Sequence, residues 1–275
     1  MTKNIINHLL DSDFFETIWQ KKNIHIKNIC EFKQDSVSIL DEILSHRSPR
    51  IKYPQLRAFN QSQQICPLDY TCSNRQNLSH DLDIPSVFSL LNRSLTIKVT
   101  DIDQYHSWIS ELKKVFELFF NSLVKINAYI STSQCYGGSP HYDSHHIFIF
   151  QIHGEKHWDF GLKEIDSPHK DFPHKYIHND LNQKIQTQEG DVLYIPPGLP
   201  HNVFTPKQSV HLSVGIHTER YFEFLIQNIK KLAETQPVLR HDLNYRINNA
   251  YLPEKINKSH QVEIMALLKN LIESL

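Results

Sequence analysis

His141 and Asp143 stand two residues apart in Gly137-Gly138-Ser139-Pro140-His141-Tyr142-Asp143. Sixty positions after the first, His201 closes the segment Gly190-Asp191-Val192-Leu193-Tyr194-Ile195-Pro196-Pro197-Gly198-Leu199-Pro200-His201. Side chains two apart on a strand share a side, so the first pair would present an imidazole and a carboxylate together. A second imidazole from a later strand would complete three ligands on one face of a metal ion. Two His and one carboxylate with the opposite face open suit Fe(II) and O2 chemistry, because a cosubstrate and O2 must both reach the ion. An isolated His-x-Asp is a common accident. Here it follows a Gly-Gly-Ser-Pro turn, and His201 follows a Gly-Asp turn, an apolar run and a Pro-Pro-Gly turn, which places both parts at one barrel mouth.

Lys156 lies fifteen positions after His141, on a strand expected to pair with residues 147–152. A Lys pointing into an apolar barrel is costly unless an anion meets it, and a cosubstrate carboxylate would be such an anion. A surface Lys beside the Gly154-Glu155 turn fits the same spacing, and the pattern leaves both readings open. His145, His146, His153 and His157 crowd the region. An open site needs none of them and alternation sends some outward, so they are expected to be non-ligands. Gln151 and Trp158 either shape a pocket or pack.

These residues need elements to hold them. Ile5, Ile6, Leu9, Leu10, Phe14, Phe15 and Ile18 fall close to helical spacing over 4–20, and Ile24-His25-Ile26 alternates as a short strand. The pattern predicts a helix over 36–46, irregular or edge structure over the Pro-broken 47–80, a helix over 86–91 and a strand over 94–99. The clearest helix is 107–123, with Trp108, Leu112, Val115, Phe116, Phe119 and Phe120 inward. From 124 the period changes to two. Strands are predicted at 124–130, 147–152, 156–160 (as a hairpin partner of the preceding strand), 192–195, 202–205 and 209–216. Residues 164–182 read as a loop over the barrel mouth, and 219–275 as mainly helical. The fold class is mainly β with flanking helices, a double-stranded β-helix or jelly-roll barrel. It is parsed as a catalytic domain over 1–217 and a small helical C-terminal region over 218–275.

Composition sets outer limits. The chain has 275 residues, 40% hydrophobic and 21% charged, with a formal net charge of −1, so one sizeable core is expected and no global field favours nucleic acid or an anionic membrane. Four Cys without a C-x-x-C pair read as reduced thiols in a cytoplasmic protein. The N-terminus shows no apolar signal core, and no apolar run approaches the ~20 residues of a membrane span.

Four motifs, Pro140-His141-Tyr142-Asp143, Phe148-Ile149-Phe150-Gln151, Gly154-Glu155-Lys156-His157-Trp158 and Gly190 to Gly198, together resemble the JmjC oxygenases. The resemblance is nearest to the ribosomal oxygenase branch and small bacterial cupin-like relatives, and it covers about residues 10–220. It implies Fe(II) held by His141, Asp143 and His201, with Lys156 binding the distal carboxylate of 2-oxoglutarate. Asn127 matches a polar residue that assists the cosubstrate, and Ser213 and Tyr129 are further candidates. For these three, a polar residue satisfied inside the barrel is an equal alternative.

The activity implied consumes 2-oxoglutarate and O2, releases succinate and CO2, and leaves a hydroxyl on carbon. A peptide or protein side chain is the favoured substrate, with a free amino acid or a natural-product intermediate as the alternative. Two rivals are a metal-binding cupin without turnover and a cupin isomerase or dioxygenase that uses no 2-oxoglutarate. Phe222, Phe224, Leu225, Ile229 and Leu232 at helical spacing could cap the barrel or pair two chains, and resemblance favours a homodimer.

Overall fold

Alternation and helical spacing both reach the structure, though not always in the predicted places. The structure, a computed structural model, describes residues 2–11, 13–31, 51–61, 63–72, 79–163, 165–172, 180–240 and 258–273. The helix expected at 36–46 lies outside the described residues. The chain divides into two compact units, Met1–Thr218 and Glu219–Leu275.

Two helices, α1 (Thr2–Asp11) and α2 (Phe14–Thr17), replace the one expected over 4–20. Asp13 between them is left-handed, with φ 48°, a conformation that breaks a right-handed helix. Ile5, Leu9 and Phe14 are nonetheless all buried. Next come β1 (Ile24–Ile26), β2 (Leu56–Asn60), the edge strand β3 (Gln63–Gln64), α3 (Ile84–Leu90) and β4 (Thr96–Val99). Pro85 sits in the first turn of α3, where no intrahelical N–H is required. In α4 (Ser107–Phe120) the buried stripe is Ile109, Leu112 and Phe116. Val115, expected inward, is 36% exposed, because a stripe at i, i+3 and i+7 leaves position i+6 off its edge. Asn121, left-handed at φ 45°, ends the helix.

Eight strands follow: β5 (Leu123–Ser131), β6 (Cys135–Tyr136), β7 (His146–His153), β8 (Glu155–Phe160), β9 (Gln183–Gln188), β10 (Val192–Ile195), β11 (His201–Thr205) and β12 (Ser209–His217). They complete an eight-stranded sheet, β1-β10-β7-β12-β5-β4-β2-β3, and a four-stranded one, β6-β11-β8-β9. This is the double-stranded β-helix. The expected hairpin between β7 and β8 does not form. β7 lies between β10 and β12, whereas β8 lies between β11 and β9 in the other sheet. Gly154 makes the crossing at φ +66°, where a Cβ would come 2.3 Å from the Gln208 carbonyl oxygen. β7 is apolar on both faces, so it needs a layer on each side, and a flat hairpin would leave one face in water.

The large sheet is what turns alternation into a site. Phe148 and Phe150 of β7 face the helices, with Phe116 at 5.4 and 5.8 Å between ring centroids. Ile147 and Ile149 face the other way and pack with Trp158, Phe160 and Ile195 between the sheets. On β5 and β12 the helix-facing positions are apolar: Ile126, Ala128, Ile130, Leu212 and Val214. Their opposite parity is polar and cross-paired as Asn127–Ser213, Tyr129–His211 and Ser131–Ser209. Deep inside, the Gln151 amide donates to Ser209 Oγ (2.8 Å) and accepts from Thr187 Oγ1 (3.1 Å), which also accepts from Trp158 Nε1 (3.1 Å). That network ties the two sheets together.

Asp191 clamps the edge strand β1. Its carboxylate accepts from the backbone N–H groups of Asn28 (3.0 Å) and Gln188 (3.0 Å) and from His25 Nε2 (2.8 Å). Asp191→Ala strands these donors and is expected to cost roughly 2–4 kcal/mol, read by urea unfolding. An unchanged midpoint would sink this account.

In the second unit, α5 (Tyr221–Thr235) begins with Glu223 accepting from the Arg220 N–H at 2.9 Å, and α6 is Lys258–Glu273. No helix among the described residues is long and apolar enough to cross a membrane.

Candidate metal and cosubstrate site

His141 and Asp143 do not share a regular strand, contrary to expectation. They follow β6 in an extended connection, and His141 forms an isolated antiparallel bridge with His201 at the start of β11. The His141 N–H donates to the His201 carbonyl (3.0 Å) and the His201 N–H to the His141 carbonyl (2.8 Å). This reciprocal pair sets the two residues opposite each other, with ring centroids 4.6 Å apart. The Gly198 N–H donates to the Asp143 carbonyl at 2.9 Å, which ties the His-x-Asp segment to the Pro-Pro-Gly turn.

Each imidazole uses Nδ1–H the same way, donating to the carbonyl two residues before it: His141 to Ser139 (2.8 Å) and His201 to Leu199 (3.0 Å). A carbonyl only accepts, so Nδ1 carries the proton and the Nε2 lone pair is left for a ligand. These Nε2 atoms lie 3.9 and 3.5 Å from Asp143 Oδ2, and all three donor atoms fall within 4.8 Å of one another. Burial, with His141 adjacent, pushes the His201 imidazole below its ordinary value, which keeps the lone pair available. Two fixed Nε2 atoms and a carboxylate, with no thiol in the lining, fit Fe(II) as the facial set.

One cavity of about 150 Å³ holds the rest. It is lined by all seven residues singled out in the sequence: His141, Asp143, His201, Lys156, Asn127, Tyr129 and Ser213. Lys156 is 1% exposed, so it is not a surface residue of the turn. Among the described residues its ammonium meets Ser131 Oγ at 2.8 Å and no carboxylate. Burial pushes it down to about 7. Asn127 turns its Oδ1 to the Asp101 backbone N–H at 3.4 Å, leaving its amide N–H groups toward other partners.

Two further polar residues, Ser131 and His211, belong to this place and were not singled out. Ser131 holds Lys156 and reaches Thr96 Oγ1 at 3.0 Å. His211 stacks on Tyr129, 4.8 Å and 3° apart. The signal that would have found Ser131 and His211 is parity, since they lie two positions from Tyr129 and Ser213 on the same strand faces. The crowd of other His lies outside the ligand cluster. His145 lines the cavity and stacks on His217 at 4.4 Å. The His217 imidazole is pushed down to about 4 by burial and by His145. His146 stacks on Trp19 at 3.6 Å and meets the Tyr194 hydroxyl at 2.9 Å. His153 and His157 sit near Glu189 and Glu155.

Comparison with known proteins points one way. Residues 101–224 match the JmjC domain family. The "Bifunctional lysine-specific demethylase and histidyl-hydroxylase NO66" of Drosophila willistoni is 22% identical over 252 residues, which is 88% of this chain and 32% of that protein. Its namesake from Drosophila persimilis is 27% identical over 163 residues, 56% of this chain and 23% of that protein. The chain thus spans about a third or less of the length of these curated relatives. Among solved structures, the Escherichia coli ribosomal oxygenase YcfD in complex with cobalt and 2-oxoglutarate superposes with a TM-score of 0.59 and 18% identity. That match covers 94% of this chain and 66% of that one.

Proposed function

From the match of residues 101–224 to the JmjC domain family and the geometry of the site, we propose that this chain is an Fe(II)- and 2-oxoglutarate-dependent oxygenase hydroxylating a side chain of a peptide or protein. The observation that carries this reading is one cavity holding both the His141–Asp143–His201 donor set and a fully buried Lys156 that meets no carboxylate among the described residues. A scaffold has no need to retain an ammonium without a counter-charge in its interior, since such a buried charge is strongly unfavourable.

Bound Fe(II) with 2-oxoglutarate supplies O2 activation, in which one oxygen atom ends in succinate and the other in the product hydroxyl, with CO2 released. The chain's own residues position and exclude. His141, Asp143 and His201 would hold the Fe(II) on one face and leave the other open. Lys156, held by Ser131, would meet the distal carboxylate of 2-oxoglutarate, and Asn127, Tyr129 and Ser213 would line the rest of its cavity. Trp158 and Phe160 flank His201, each 6.1 Å from its ring, and keep water from the inner ligand. A second cavity of about 400 Å³, between Phe59 and Pro140, shares Lys98, Tyr129 and His141 with the first. That roomy approach beside the metal face favours a peptide over a free amino acid.

The test is incubation of the Fe(II)-loaded chain with 2-oxoglutarate, O2 and a peptide library, reading succinate and the gain of one oxygen atom by mass. Absence of both succinate release and anaerobic 2-oxoglutarate binding would sink the proposal and leave the metal-binding scaffold.

A further inference from the structure

Lys156 by itself makes an incomplete anion site. An ammonium has three donors, and Ser131 accepts one of them. A carboxylate has two oxygens with about four acceptor positions, so a second protein donor is expected beside the Lys.

His211 is placed to be that donor. Strand parity puts it on the cavity face of β12, directly paired with Tyr129 of β5, and it lines the same cavity as Lys156. It is 4% exposed, and its Nδ1 is buried without a hydrogen-bond partner among the described residues. Leaving such a group unsatisfied is unfavourable, and no described residue relieves it. The ring is also held rigidly. It lies parallel to Tyr129 at 4.8 Å, with Trp158 edge-on at 5.9 Å, while Lys98 closes the row 5.3 Å from the far Tyr129 ring. Burial and the nearby Lys156 push the imidazole well below its ordinary value. The ring is therefore neutral and offers one N–H without adding a second positive charge.

We propose that His211 is the second donor to the distal carboxylate of the cosubstrate, forming with Lys156 a two-point clamp that selects a 2-oxo diacid over a 2-oxo monoacid. This rests on the 2-oxoglutarate reading above. Lys156 supplies charge, and His211 supplies direction from a ring packed between Tyr129 and Trp158.

The experiment compares 2-oxoglutarate with 2-oxopentanoate, which has the same chain length and lacks the distal carboxylate. Both are titrated anaerobically into the Mn(II)-loaded chain by calorimetry, for the unaltered protein, His211→Phe and His211→Gln. Phe preserves the stack on Tyr129 and removes the donor, whereas Gln restores an N–H. Expected for His211→Phe is a ten- to hundred-fold weaker 2-oxoglutarate Kd, as for a lost charge-assisted hydrogen bond, with 2-oxopentanoate changed by less than about threefold. Partial recovery in His211→Gln supports the clamp further. Equal weakening of both acids would show that His211 only shapes the cavity and overturns the inference, as would an unchanged 2-oxoglutarate Kd. Failure of the unaltered protein to bind 2-oxoglutarate overturns the underlying reading instead.

Discussion

Lys156→Met is expected to weaken 2-oxoglutarate binding severely and at the same time to raise the melting temperature of the cosubstrate-free protein. The two effects have one cause. The ammonium is fully buried, has Ser131 as its hydrogen-bond acceptor and is pushed down to about 7 by burial. The cosubstrate-free fold is therefore destabilised by holding it. Replacing a buried charge with an apolar side chain of similar length is typically worth about 1–4 kcal/mol, or roughly 2–10 °C in a unit of this size. Affinity moves the opposite way. Removing one partner of a buried ion pair is expected to weaken 2-oxoglutarate by at least about 100-fold. Calorimetry and thermal unfolding on the same samples check both. A stabilised variant that still binds 2-oxoglutarate normally would favour a cosubstrate-independent cupin.

The pH dependence follows from the same residue. A carboxylate needs the protonated Lys, so its affinity is full below pH 7 and falls above it, by about 30-fold between pH 6 and 8.5 for a single proton. The cosubstrate-free stability runs the other way. Between about 7 and the ~10.4 of an unfolded Lys, the unfolded chain binds more protons, so stability rises with pH across that window. Lys156→Met removes that contribution to the slope.

Asp143→Ala is the second large effect. Asp143 is the carboxylate facing both Nε2 atoms, at 3.9 and 3.5 Å, and it is only partly buried. Its loss should leave the fold intact while weakening Fe(II) by more than the ~10–100-fold typical of residues that merely support a ligand. Succinate production should fall with it. His145→Ala is the control. His145 lines the cavity and stacks on His217 but lies outside the donor cluster, so Fe(II) stoichiometry should stay at one. Metal analysis after gel filtration reads both variants. Retention of iron by Asp143→Ala, or its loss from His145→Ala, would mean that the ligands have been misassigned.

Some of this was readable from residue types and spacing. His141, Asp143 and His201 could be named because few patterns of turns, apolar runs and two imidazoles suit anything but a metal. Lys156 could be named but not placed, since the same spacing serves an exposed turn and a barrel interior. Burial decided that question, and burial depends on which strands stack above and below. The double-stranded β-helix was legible as a class from its many short strands, while the β7–β8 hairpin was not correctly read. Adjacent strands joined by Gly154 suggest pairing, yet β7 is apolar on both faces and takes β10 and β12 instead.

Ser131 and His211 mark the boundary most clearly. Their parity is written in the chain, because alternate residues on a strand share a face. Which face meets the cavity is set by register, Tyr129 opposite His211 and Asn127 opposite Ser213, and by the sheet of β8 and β11 laid across it. What the sequence by itself determined is the chemistry available: two imidazoles, a carboxylate and a Lys, at spacings a barrel can gather. What only the tertiary structure decided is the company each keeps, the reciprocal His141–His201 bridge, the buried ammonium on Ser131 and the buried His211 Nδ1 left open among the described residues. Residue types fix donors and acceptors locally, whereas long-range strand pairing fixes which of them are removed from water and meet.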